Sequence, residues 1–209
     1  SEAGSARGGR VGRETSRTGS AENGLHPAIR EKRRGVGPAA EPHAQRHLAR
    51  RAFAGAWGRA TAAERGRLLA RLGRVVEDRA ESLALTEARD VGKPLTQARD
   101  DVRAVARYLE FYGGAADKLR GETIPYLDGY TVYTLREPHG VTGHIIPWNY
   151  PLQIIGRSVV AALAAGNACV LKPAEEASFG ALAFAELALE TGLPPGALNV
   201  VPGTGAEAG

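Results

Sequence analysis

The feature that most constrains the fold of this chain is an alternation of short apolar segments and helical patterns in its last third. Apolar segments at 141–146, 168–171 and 198–201 have the length of buried strands, and helical patterns at 151–165 and 178–192 separate them. Ser178 is expected to cap the second of these helices. Strands that alternate with helices over short connections favour parallel pairing with right-handed crossovers. The sequence therefore predicts an α/β fold whose ligands bind at the carboxyl ends of the strands.

The residues before this pattern predict two long helices and one strand. Thr61 and Glu64 have the spacing of a capping box, and apolar residues follow at helical spacing until 92–94 interrupts them. A second helix is expected from Pro94, which suits a first helical turn, to about residue 119. The Tyr-, Thr- and Val-rich segment 130–135 predicts a strand, which would be an exposed edge without a partner.

The N-terminal tail differs in composition from the rest of the chain. Residues 1–47 hold nine Lys or Arg against five Asp or Glu, and the remaining residues hold equal numbers, so the net charge of +4 belongs to the tail. Without aromatic residues or a structural period, residues 1–48 are expected to be a disordered basic tail before a domain at 49–209. A targeting or RNA-binding arm and an out-of-frame start near Leu48 are the alternatives.

Composition also disfavours several classes of protein. No apolar run approaches the roughly 18 residues that span a bilayer, and no secretory core is found, so a cytoplasmic location is expected. The basic residues lack stacking aromatic neighbours, so no nucleic-acid partner is expected. His43 and His47 have no further ligands nearby, so no metal is expected. The single cysteine, Cys169, lies in a predicted buried strand, which predicts a core residue and not a nucleophile.

Polar residues and glycines follow the predicted strands. Asn149 comes after the first strand, where a buried amide could donate to a developing oxyanion, or could instead cap the next helix. Lys172 and Glu175 flank a proline after the second strand, and solvated charges at a helix entrance are the alternative interpretation. The Gly-rich turn 203–209 could let a nucleotide approach the backbone, although Ala208 breaks a full dinucleotide fingerprint.

Two runs of sequence stand out, Gly-His-Ile-Ile-Pro-Trp-Asn-Tyr-Pro at 143–151 and Lys-Pro-Ala-Glu at 172–175. They resemble the NAD(P)-dependent aldehyde dehydrogenase superfamily, and the resemblance covers about 49–209. It implies that Asn149 stabilises the oxyanion formed when a thiolate attacks an aldehyde, and that Lys172 and Glu175 hydrogen-bond the adenosine ribose. Glu175 would repel a 2′-phosphate, which favours NAD over NADP. The resemblance also assigns the wall of the cofactor cleft and a position near the adenine: Ile145, Ile146, Pro147, Trp148 and Gly205.

The resemblance further implies the architecture and the reaction. The fold would be N-terminal helices followed by the start of a Rossmann-like parallel sheet, truncated, with 126–138 joining an oligomerisation sheet in a homo-oligomer. The complete enzyme would oxidise a small-molecule aldehyde to a carboxylic acid with NAD. The family's cysteine nucleophile and glutamate base lie beyond residue 209, so these residues alone are expected to be inactive. The alternative is a non-catalytic remnant that binds nucleotide or self-associates.

Overall fold

The structure, a computed structural model, describes residues 42–208, apart from the side chains at positions 42 and 207. Residues 1–41 of the predicted tail lie outside the described residues. Helix α1 spans Pro42–Ala54, so the last residues assigned to the tail are the start of a helix. Ala49 and Ala52 of this helix are buried in the core, which explains why the helical segment begins earlier than composition indicated.

Four further helices complete the N-terminal part of the described chain. They are α2 at Ala56–Arg59, α3 at Ala62–Asp78, α4 at Ala80–Val91 and α5 at Leu95–Ala115, which ends in a 3₁₀ turn at Ala116–Lys118. Thr61 and Glu64 form the predicted capping box, with the Glu64 amide donating to Thr61 Oγ1 at 3.3 Å. The first predicted helix is divided at Arg79, whose φ of −104° and ψ of 15° interrupt the helical backbone.

Helices α3 and α5 pack closely because glycines face each other where they touch. A Cβ atom at Gly66 would lie 2.4 Å from the carbonyl oxygen of Gly113, so a larger side chain would force the helices apart. Apolar residues such as Leu69, Leu72 and Leu109 fill the rest of this contact and are fully buried. These helical faces are therefore core, as their spacing predicted.

A small antiparallel hairpin follows the helices. Its strands are β1 at Thr123–Ile124 and β2 at Val132–Tyr133, and Thr134 N also donates to Glu122 O at 2.9 Å. The predicted strand at 130–135 is thus present in shortened form. Large apolar side chains along this segment are exposed: Ile124, Tyr126, Leu127, Tyr130, Tyr133 and Leu135.

The main sheet is parallel, as predicted, with the order β3-β4-β5 among the described strands. Strand β3 spans Val141–Ile145, β4 spans Ala168–Lys172 and β5 spans Leu198–Val200. The register pairs Val141 with Ala168 and Cys169 with Leu198. The α/β class expected from the alternating segments is confirmed.

Helical segments connect the strands. The first connection consists of α6 at Pro151–Ile154, a π-helical segment at Ile155–Val160 and α7 at Ala161–Ala164, where the sequence predicted one uninterrupted helix. The second connection is α8 at Phe179–Glu190, and α9 at Gly205–Ala208 follows β5. No helix within residues 42–208 is long and apolar enough to cross a membrane.

The prediction that Ser178 caps α8 is wrong. Ser178 makes no capping hydrogen bond, and its hydroxyl donates to Ala174 O at 3.1 Å. Asp90 of α4 supplies the cap instead, since its Oδ2 accepts from Phe179 N at 2.8 Å and from Gly180 N at 3.4 Å. This contact joins the helical layer to the helix that crosses the sheet.

Candidate functional site

The three strand ends that the sequence singled out lie along one edge of the main sheet. Ile145 pairs with Lys172 at the ends of β3 and β4, and Ile146 N donates to Lys172 O at 3.1 Å. Val201 N donates to Leu171 O at 2.8 Å, which brings the end of β5 to the same edge. The segments that begin at 146, 173 and 202 therefore leave the sheet side by side, where parallel α/β sheets hold their ligands. We call this the carboxyl edge.

Asn149 lies in the turn between β3 and α6 and is exposed, although a buried amide was expected. It does not cap α6, because Tyr150 occupies the cap position and no side chain caps that helix. In the described part of the chain no hydrogen bond to the Asn149 side chain is found, so its amide is available to donate to a ligand. The structure therefore does not support the capping alternative.

The four residues before Asn149 divide between surface and core. Ile145 is 77% exposed and Trp148 is 57% exposed, and Pro147 is also exposed. Ile146 is only 3% exposed and packs into the core. The carboxyl edge therefore presents three apolar side chains to a ligand, while Ile146 anchors the segment from beneath.

Lys172 and Glu175 lie on the next segment. Lys172 is half-buried at the end of β4, and its Nζ donates to Pro173 O at 3.1 Å. Glu175 and its neighbour Glu176 are exposed at the entrance to α8. A cationic donor and two carboxylate acceptors thus lie at the same edge as the apolar side chains.

Two glycines of the turn after β5 bring its backbone to this edge. Gly203 has a φ of 147°, a conformation that favours glycine, whereas Gly205 begins α9 and has no atom within 4 Å of a Cβ position. The strict need for glycine is therefore at Gly203. Gly205 is exposed and leaves the turn open to a ligand.

Cys169 is a core residue, as the sequence predicted. It is fully buried in β4, and burial raises the pKa of its thiol to about 12. Its Sγ lies 3.5 Å from Thr142 Oγ1 and 3.9 Å from Val159 O, which it contacts as a weak donor. A thiol with such a raised pKa is not a thiolate near neutral pH and cannot serve as a nucleophile.

Sequence reasoning missed a buried ionic cluster behind the Asn149 turn. Lys93 Nζ lies 2.9 Å from Glu87 Oε1 and 2.6 Å from Asp101 Oδ2. The signal was present, because both acidic residues occupy the apolar faces of their helices, where an unpaired carboxylate would be costly. Lys93 lies between those helices, in a segment that was interpreted as a helix breaker and assigned no ionic partner.

Comparison with known proteins agrees with this geometry. A family model described as "Aldehyde dehydrogenase family" matches residues 34–209. A curated hydroxyisobutyraldehyde dehydrogenase from Mycolicibacterium austroafricanum is 51% identical over 153 residues, which are 73% of this chain and 30% of that protein. Aldehyde dehydrogenase (NAD(P)+) 2 from Saccharomyces cerevisiae is 42% identical over 163 residues, covering 77% of this chain and 32% of the relative.

Solved structures give the same result at the level of the fold. A proposed aldehyde dehydrogenase from Burkholderia cenocepacia is 66% identical with a TM-score of 0.80, and the match covers 82% of this chain and 36% of that one. An NAD+ complex of an aldehyde dehydrogenase from Bacillus cereus is 44% identical with a TM-score of 0.78, over 80% and 34% of the two chains.

This chain spans about a third of the length of these relatives. The family match extends upstream of the predicted boundary at residue 48 and includes all of the described structure. The motifs at 143–151 and 172–175, the parallel sheet and the matched family model lead to one conclusion: the chain belongs to the aldehyde dehydrogenase family.

Proposed function

We propose that residues 42–208 form the front of the dinucleotide site of an NAD-dependent aldehyde dehydrogenase, which oxidises an aldehyde to a carboxylic acid. The observation that carries the proposal is the carboxyl edge, where Asn149, Lys172, Glu175 and the turn at Gly203 come together in a chain of this family. The aldehyde would be a small molecule that approaches the exposed amide of Asn149.

The residues at the carboxyl edge fit a dinucleotide. Lys172 supplies a cationic donor and Glu175 an exposed acceptor, the combination that vicinal ribose hydroxyls require. Ile145, Pro147 and Trp148 offer exposed apolar surface for the wall of the cleft, and Gly205 leaves room near the adenine. When bound, NAD supplies the hydride acceptor for the oxidation.

We further propose a preference for NAD over NADP. The carboxylate of Glu175 accepts hydrogen bonds from the ribose hydroxyls and repels the 2′-phosphate that NADP carries in their place. Glu176 adds a second negative charge at the same helix entrance. Among the relatives, the yeast enzyme's name gives NAD(P)+ and the Bacillus cereus structure contains NAD+.

In the reaction, Asn149 would donate its side-chain N–H to the oxyanion that forms when a thiolate attacks the aldehyde. Cys169 is unsuited to be that thiolate, and it is the single cysteine in these 209 residues. The nucleophile would therefore be another residue of the complete enzyme, and the family resemblance implies the same for the general base. Segment 126–138, with its exposed hairpin, would join the oligomerisation sheet of a homo-oligomer in the cytoplasm.

A second function, self-association without catalysis, is favoured by one observation. The hairpin exposes Tyr126, Leu127, Tyr130 and Leu135, an apolar surface that invites a partner strand or a second copy. Such a remnant could still bind nucleotide at the carboxyl edge. It would differ from the first proposal in having no role in aldehyde oxidation.

A fusion enzyme tests the proposed function. Residues 42–208 replace the matching segment of the hydroxyisobutyraldehyde dehydrogenase from Mycolicibacterium austroafricanum, which is 51% identical over the match. We expect the fusion enzyme to produce NADH from NAD and an aldehyde, measured by absorbance. A folded fusion enzyme that binds NAD but oxidises no aldehyde would support the non-catalytic alternative.

A further inference from the structure

The buried ionic cluster combines one cation with two carboxylates. The side chains of Lys93, Glu87 and Asp101 are 8%, 0% and 3% exposed. Glu87 Oε2 is buried and makes no hydrogen bond of normal geometry within residues 42–208, although the backbone amide of Leu152 approaches this carboxyl. Burial raises the pKa of Glu87, whereas for Lys93 burial is outweighed by the hydrogen bonds to Asp101 and Glu87, which raise its pKa. Buried ion pairs often add little net stability compared with well-packed hydrophobic residues, so stability is a weak explanation for the cluster.

The cluster contacts the turn that carries Asn149. Lys93 Nζ lies 4.7 Å from the centre of the Tyr150 ring, a cation–π contact with the residue next to Asn149. Gln97, one turn further along, donates from Nε2 to the Tyr150 hydroxyl at 2.9 Å. The ring is thus held at its face and at its hydroxyl by residues of the helical layer.

A second connection reaches the first turn of α6. Gln153 Nε2 donates to Asp101 Oδ1 at 3.2 Å, so the carboxylate that binds Lys93 also holds this helix. Two residues after Asn149 are therefore held in place, Tyr150 by Lys93 directly and Gln153 by Asp101, which also binds Lys93. These contacts restrain a turn whose own cap residue makes no capping hydrogen bond.

The placement of an oxyanion donor matters at the scale of these contacts. A misplacement of about 1 Å at a reacting group can cost about a hundredfold in rate, and such groups need support from surrounding side chains. Asn149 is exposed and makes no hydrogen bond of its own within residues 42–208. Its direction must therefore be set by the residues on either side of it.

We propose that Lys93 is a positioning residue, which orients the Asn149 amide through the Tyr150 ring and through the Asp101–Gln153 hydrogen bond. The proposal rests on the proposed oxyanion role of Asn149. Among the described residues Lys93 contacts Tyr150, Glu87 and Asp101, and none of its hydrogen bonds or ion pairs reaches Asn149, Lys172 or Glu175. It acts by restraining the turn from behind, and its effect on the reaction should pass entirely through Asn149.

A double-mutant cycle in the fusion enzyme tests this. Lys93→Met is expected to lower the acylation rate at saturating NAD by about tenfold to a hundredfold, with an unchanged NAD dissociation constant. In an Asn149→Ala background the same substitution is expected to have almost no effect on the rate. Equal effects of Lys93→Met in both backgrounds would overturn the positioning role. A failure of the proposed oxyanion role would give a different result, because Asn149→Ala alone would then leave the acylation rate unchanged.

Lys93→Met leaves two buried carboxylates without a cation, so a second variant guards against misfolding. Tyr150→Leu keeps the ion pairs and removes the ring, and it is expected to reproduce the loss of rate and the dependence on Asn149. Trp57→Phe is the matched control. It removes the buried 2.8 Å hydrogen bond from Trp57 Nε1 to Asn167 O. Asn167 directly precedes β4, so this bond lies at the end of the strand opposite the carboxyl edge. It is expected to leave the acylation rate unchanged.

Hydrogen–deuterium exchange gives a readout that does not need activity. In the 209-residue chain, Lys93→Met and Tyr150→Leu are expected to speed exchange in the segment 148–154, whereas Trp57→Phe does not. Unchanged exchange there in both variants would contradict the positioning role. Lys93→Arg keeps the charge and is expected to restore most of the protection.

Discussion

At the scale of single residues, we expect substitution of Asn149 to have the largest effect on the acylation rate. We expect Asn149→Ala in the fusion enzyme to lower the acylation rate by roughly a hundredfold or more, the usual cost of removing one oxyanion donor. Binding of NAD should hardly change, because the amide would face the reacting carbonyl and not the ribose. A single-turnover measurement of NADH formation gives the rate, and an NAD titration gives the affinity.

The two measurements separate the proposed roles. If Asn149→Ala weakened NAD binding and left acylation intact, the residue would belong to the cofactor site and its assigned role would be wrong. Asn149→Asp is an informative companion, since it keeps the size of the side chain but replaces the donor by an acceptor.

The sequence predicted which residues lie at the carboxyl edge but not how each one is exposed. Asn149, Lys172 and Gly203 could be placed because apolar segments reveal where strands end. The inward orientation of Ile146, the exposure of Asn149 and the pairing of Lys93 with Glu87 and Asp101 depend on tertiary packing. A local pattern carries no information about which distant helix covers a residue.

At the scale of elements, the first turn of α8 is capped by a residue that is distant in sequence and not by the residue that directly precedes the helix. We expect Asp90→Ala to destabilise the first turn of α8 by about 1 kcal/mol, because Asp90 accepts from two of its backbone amides. Ser178→Ala removes a hydroxyl at the local cap position and should have a much smaller effect. Amide exchange of residues 179–182 in the fusion enzyme measures both.

If Ser178→Ala increased exchange as much as Asp90→Ala, the local cap would matter after all. The sequence indicated a serine cap because Ser178 directly precedes the helical pattern. It could not indicate Asp90, which is distant in sequence and reaches the helix only after folding. The π-helical segment at Ile155–Val160 was missed for a related reason, since its residues have ordinary helical periodicity.

The exposed hairpin leads to a prediction about association. We expect the 209-residue chain to self-associate, because Tyr133 and Leu135 are exposed in and just after β2, whose outer edge pairs with no strand within residues 42–208. Tyr133→Lys together with Leu135→Lys should shift the chain towards the monomer in sedimentation experiments. Leu189→Lys changes a residue of α8 that is 50% exposed and serves as the control. A clean monomer with a sharp cooperative melt would show instead that the hairpin needs no partner.

At the scale of the whole molecule, the 209 residues should offer no thiolate that could attack an aldehyde. Their single cysteine is buried, and its pKa is raised to about 12 by that burial. We therefore expect no NADH production from the purified chain with any aldehyde. NADH production that Cys169→Ala abolished would overturn both this expectation and the assignment of Cys169 to the core.

A cofactor titration of the fusion enzyme tests whether the carboxyl edge of the sheet is an NAD site. Glu175→Ser should weaken NAD and strengthen NADP, since it removes a ribose acceptor and the charge that repels a 2′-phosphate. Glu190→Ser, an equal change of charge at the exposed far end of α8, should alter neither. An unchanged ratio of NAD to NADP affinity in Glu175→Ser would show that Glu175 does not contact the cofactor ribose, and would contradict the assignment of the carboxyl edge as an NAD site.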